Sequence, residues 1–124
     1  MKNKYACALA AILLTLAFSA TIANYIYVEK TAEYILDSID GLPADISSAS
    51  DSVSEIREAW KERREILDLT LSKPALDKVS LLIDELQIAA EHHAESDYKT
   101  AMARLRRAIE DIRDPERILL RNIF

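Results

Sequence analysis

The first pattern along the chain is uniform rather than periodic. Tyr5–Val28 is one apolar run, broken only by Thr15, Ser19, Thr21 and Asn24 among polar types. From Glu29 onward the apolar positions recur every three or four residues, the spacing of one helical face. Ala32, Ile35, Leu36 and Ile39, set among Glu29, Lys30, Glu33 and Asp37, predict a helix over 29–40 that continues the apolar run. Gly41 and Pro43 end it, since glycine suits a left-handed cap and proline cannot prolong a helix.

Ile46, Ala49, Val53, Ile56, Trp60 and Leu67 predict one long helix near 44–71, weakest at Ser47–Ser52, with a start nearer Asp51 as the alternative. Serines compete for backbone hydrogen bonds and favour caps over helix interiors. Ser72 and Pro74 then read as a cap and a first helical turn. Leu76, Val79, Ile83, Leu86 and Ala90 form the next stripe, over 74–91, and Leu81, Leu82 and Ile88 widen it beyond one face. Such a helix is either the most buried of the set or carries an apolar patch for a partner. His92–Asp97 reads as a turn. Tyr98, Met102, Leu105, Ile109 and Ile112 predict a last long helix over 97–113, with Arg106–Glu110 and Arg107–Asp111 as charge pairs on its outer side. Asp114–Pro115–Glu116 should end that helix and start a short one. The tail 115–124 is apolar through Ile118, Leu119, Leu120, Ile123 and Phe124. The pattern as a whole predicts an all-α fold: an N-terminal transmembrane or signal-anchor helix continuing into a small antiparallel bundle of three to four helices.

The apolar run has two readings. A secretory signal needs a basic start, a short apolar core and a small-residue cleavage site. Lys2 and Lys4 supply the start, and Ala17–Phe18–Ser19 or Thr21–Ile22–Ala23 the site. A membrane span needs about 20 apolar residues. The run meets that length, carries Tyr5, Tyr25 and Tyr27 as interfacial aromatics, and has no Pro or Gly. The uncleaved signal-anchor is the preferred reading, with residues 5–28 in the bilayer; a cleaved signal and a secreted body is the alternative. In both, Lys2 and Lys4 stay in the cytoplasm by the positive-inside rule and the body is extracytoplasmic.

Composition narrows the functions open to this body. Residues 29–124 carry 14 basic against 21 acidic side chains, a net −7, so neither nucleic acid nor anionic lipid is an expected partner of the body. One glycine and few aromatics fit helices rather than sheet. Cys7, the sole cysteine, lies in the apolar run, which leaves no disulfide or cysteine-based metal site within one chain. His92 and His93 are adjacent and so point about 100° apart on a helix, unlike an i,i+4 metal pair. A solvated turn is the expected role, and no metal or cofactor is expected. No Gly-x-Ser-x-Gly elbow or phosphate loop occurs, and the serines at 47–54 have no histidine nearby in sequence; no catalytic residue is expected.

The basic start, the single apolar helix, Trp60 within Glu58–Arg63, Leu67–Leu69 and the ending Ile112–Phe124 resemble a bacterial domain-of-unknown-function family of short, N-terminally membrane-anchored helical proteins. The resemblance covers nearly the whole chain, and its C-terminal stretch is the distinctive part. Family members often place a His before the third helix, where this chain has Ser72–Lys73. The resemblance implies no catalytic residues. It does imply a small multipass membrane protein as a neighbour. The expected function is therefore a non-enzymatic interaction or accessory module for a membrane partner, or one that self-associates. Trp60, Leu81, Leu82, Ile88, Ile118, Ile123 and Phe124 are its candidate contact residues. The alternative is a ligand- or ion-sensing bundle using His92, Glu95 and the row Arg104, Arg106 and Arg107.

Overall fold

A computed structural model describes the backbone of residues 2–123 and the side chains of 3–115, 121 and 122. Four helices, α1 (Lys2–Asp40), α2 (Ala49–Leu67), α3 (Lys73–Glu91) and α4 (Glu95–Ile123), and one 3-10 turn (Ile46–Ser48) account for nearly all of them. The fold is all-α, as the spacing predicts. α4 packs against both α1 and α3, α2 packs against α3, and a lighter α1–α2 contact closes the bundle. The short connections make sequential neighbours antiparallel, an up-down-up-down arrangement.

α1 runs without a break from the apolar segment to Asp40, because nothing between them disfavours helix. Thr15 and Thr21 return their hydroxyls to the carbonyls of Ala11 and Ala17, so neither leaves an open donor on this segment. The helix stops at Gly41 without the left-handed cap expected there: Gly41 does not have positive φ, and its N–H still bonds the Asp37 carbonyl at 2.9 Å, so the turn closes in ordinary helical fashion before Pro43. Asp45 then caps the 3-10 turn, accepting the Ser47 N–H at 3.0 Å. That bond and the Ser47 hydroxyl hold the Asp45 carboxyl below the usual carboxylate range. α2 begins at Ala49, later than Ala44, since the serines ahead of it serve the turn: Ser48 Oγ donates to the Asp45 carbonyl.

α2 ends at Leu67 rather than Leu71, and residues 68–71 wind down in a turn closed by Leu71 N–H to Leu67 O at 2.9 Å. Ser72 stands at the N-cap of α3 with extended backbone, but its side chain makes no capping hydrogen bond, and Pro74 sits in the first turn. α3 closes with His93 in the left-handed region at φ 52 and with Ala94 N–H bonded to Ala89 O. That is a helix C-cap, for which histidine tolerates positive φ better than most residues.

Asp114–Pro115 does not end α4, contrary to the reading of that dipeptide. The helix passes through Pro115 to Ile123. Proline removes one N–H, the bond to the Asp111 carbonyl, and crowds that carbonyl. Asp111 and Pro115 are both exposed, so water can serve the freed oxygen. Packing of the preceding turns, with Ala108 and Ile109 buried, outweighs the local break signal.

The core lies where the stripes put it. Val28, Ala32, Ile35, Leu36 and Ile39 of α1, Val53, Ile56, Trp60 and Leu67 of α2, Leu76 to Ala90 of α3, and Tyr98, Leu105 and Ile109 of α4 form one buried cluster. Burial starts at Val28. The apolar run before it is exposed: from Tyr5 to Ala23, only Ile22 is half-covered. The 5–28 run is thus two things, an exposed rod, Tyr5–Ala23, and a junction, Asn24–Val28, in which Ile26 stays exposed, Asn24, Tyr25 and Tyr27 are half-buried and Val28 enters the core.

Candidate interaction surfaces

The bundle's polar side chains mostly stitch helices together. Between α2 and α3, Trp60 Nε1 donates to Ser80 Oγ at 2.9 Å, and Arg64 donates to the same oxygen at 2.6 Å. Arg64 also pairs with Asp77 of α3 and, at 3.8 Å, with Asp68. Further along the same interface, buried Gln87 donates to the Ser50 carbonyl, Ser50 Oγ and Glu91, and accepts from Ser54 Oγ at 3.1 Å. A buried amide that is fully partnered specifies register, whereas an unpartnered one costs about 1–3 kcal/mol.

Two further links tie α1 to α2. Arg63 donates to the buried Thr31 hydroxyl at 3.3 Å and lies 4.6 Å from the Tyr34 ring centroid. Thr70, just past the end of α2, donates to Asn24 Oδ1 at 2.6 Å. Asn24 is thus the polar residue at which the exposed rod ends and the bundle begins. Both contacts join residues far apart in sequence, beyond the reach of helical periodicity. The one advance sign was an asparagine inside an apolar run, a group that needs a partner.

The features that favoured a ligand site converge only in part: His92 and Arg104 line one groove, while Arg106 and Arg107 turn to other carboxylates. His92 and His93 are exposed on the α3 cap. Arg104 faces Glu85 at 3.7 Å, Arg106 pairs with Asp40 of α1, and Arg107 pairs with Asp111 at 3.2 Å. The row thus points three ways, each cation beside a carboxylate. Arg106 pairs with Asp40 on the neighbouring helix instead of with Glu110, while the expected Arg107–Asp111 pair forms. Among the described residues, no three His, Cys, Asp or Glu groups gather around one point. An open groove of about 510 Å³ between α3 and α4 is lined by Glu85, Ile88, His92, Asp97 and Arg104 among others, a mixed-charge rim over an apolar floor. The phenol of Tyr98 is buried without a hydrogen-bond partner. That burial pushes its pKa up.

The candidate contact residues divide. Trp60 and Leu82 are 4% and 1% exposed; both are spent inside the bundle and present no surface. Trp60 sits on the α2 stripe with its ring between α2 and α3, and Leu82 faces the core because α3 is covered by α2 on one side and α4 on the other. Leu81 and Ile88 are 58% and 56% exposed, and lie two turns apart on one side of α3. The side chains of Ile118 and Ile123, and Phe124 as a whole, lie outside the described residues. Comparison with family models, with curated proteins and with solved structures found no match to this chain.

Proposed function

We propose that the chain is a single-pass, membrane-anchored, extracytoplasmic helical module that acts without catalysis, as an accessory to a membrane protein. One observation carries this reading. The most apolar window of α1 is wholly unburied, yet the same helix continues without a joint into a packed bundle. A soluble helix that apolar would be covered by protein. Tyr5–Ala23 measures about 28 Å at about 1.5 Å per residue, close to the bilayer's hydrocarbon thickness of about 30 Å. Lys2 and Lys4 favour the cytoplasmic side for the N-terminus. Leu81 and Ile88 provide the apolar face for a partner, and the resemblance to anchored helical proteins points the same way.

Impermeant maleimide labelling of sealed cells tests the orientation, in a Cys7→Ser background. A cysteine introduced by Glu91→Cys is expected to label from outside, and one introduced by Asn3→Cys only after permeabilisation. The reverse pattern, or protection of both positions until lysis, contradicts the reading.

A further inference from the structure

The anchor reading leaves open how the bundle stands on the membrane, and the turn between α2 and α3 bears on that. Turns are built from Gly, Pro, Asn, Asp and Ser, and lie in water. This one reads Asp68–Leu69–Thr70–Leu71, and Leu69 is 80% exposed. Ile66, at the last turn of α2, is 51% exposed. Neither belongs to the core, since Leu67 between them is the residue that turns inward.

The level of this turn is set by a contact. Thr70 bonds Asn24 at 2.6 Å, so Leu69 stands beside the residue where the exposed apolar rod ends. α4 descends to the same level. Arg106 pairs with Asp40, and from there α4 continues to Ile123. An equal length of helix, taken back along antiparallel α1 from Asp40, reaches Ala23. The α2–α3 turn and the end of α4 therefore both lie close to the end of the rod. The Asp68 carboxylate turns back toward Arg64, one turn higher, and Lys73 is exposed at the start of α3.

We propose that the α2–α3 turn is a second, interfacial membrane contact: Leu69 and Ile66 enter the boundary between headgroups and acyl chains of the bilayer that α1 crosses. The bundle is then held at two points on its base and stands upright on the membrane instead of tilting about a single stem. This rests on the anchor reading above.

The test uses the full chain, Cys7→Ser, reconstituted in vesicles of phosphatidylcholine and phosphatidylglycerol. An environment-sensitive NBD label is placed by Leu69→Cys, by Leu81→Cys on the side of the bundle, or by Ile12→Cys in the rod. The label at 69 is expected to emit at shorter wavelength than that at 81, and to be quenched by spin labels at shallow acyl positions. The label at 12 should respond to deep ones. If the label at 69 matches the aqueous label at 81 while 12 reports lipid, the interfacial contact is overturned and the anchor stands. If 12 also reports water, the anchor reading fails and this inference with it.

Discussion

Leu13→Arg combined with Leu14→Arg releases the chain from membranes and leaves the bundle folded. Both leucines are exposed and stand at the middle of the Tyr5–Ala23 rod. Each arginine at a span centre costs about 2.5–3.5 kcal/mol for insertion, so the pair costs about 5–7 kcal/mol. At about 1.4 kcal/mol per tenfold, partitioning shifts by about four to five orders of magnitude. The fold is spared because no residue before Val28 belongs to the buried core. Carbonate extraction of membranes, followed by circular dichroism of the extracted chain in detergent, reads both effects. A double variant that stays in the carbonate-resistant pellet speaks against a span. One that loses its helical melting transition shows the rod to be part of the fold.

The second large effect belongs to Trp60. Trp60→Ala is expected to destabilise the bundle by about 3–5 kcal/mol, the usual result of deleting a buried large aromatic. Total stabilities of small domains are about 5–15 kcal/mol, so a large part of the population would unfold on modest warming. Trp60→Phe keeps a ring between α2 and α3 but leaves Ser80 without the indole donor, which Arg64 still partly satisfies. Its cost should be smaller, about 1–2 kcal/mol. Thermal denaturation of the full chain in detergent separates the two. An unchanged midpoint for Trp60→Ala would mean that the indole is not in the core and would return it to the set of surface contacts.

How far the fold was legible follows from what helical periodicity records. A three-and-four spacing reports which face of a helix is covered, and here it located Ile35, Val53, Trp60, Leu76, Leu86 and Leu105 in the core without reference to any partner helix. It does not report what lies across the interface. Arg106 meeting Asp40 in place of Glu110, and Asn24 meeting Thr70, depend on how α1 and α4, or α1 and α2, are aligned along their lengths. Pro115 shows the complementary limit: a strong local break signal gives way when the turns before it are packed and the residues at the break, Asp111 and Pro115, are exposed. Leu81 and Leu82, adjacent in sequence, have opposite fates because the apolar arc of α3 is wider than the surface its neighbours cover. For the candidate site, the exposed pair Leu81 and Ile88 lay within the sequence's apolar surplus. Leu69 did not stand out, since an isolated turn leucine becomes informative only once Thr70 places it at the end of the rod.

Orientation, the interfacial turn and the arginine effect all depend on Tyr5–Ala23 staying attached and crossing the bilayer, with Asn24 at its junction with the bundle. Intact mass spectrometry of the chain recovered from membranes reads this without any substitution. The expected species is a chain that retains Tyr5–Ala23, found in the carbonate-resistant fraction. A shorter chain beginning after Ser19 or Ala23, recovered in the soluble extracytoplasmic fraction, would contradict it.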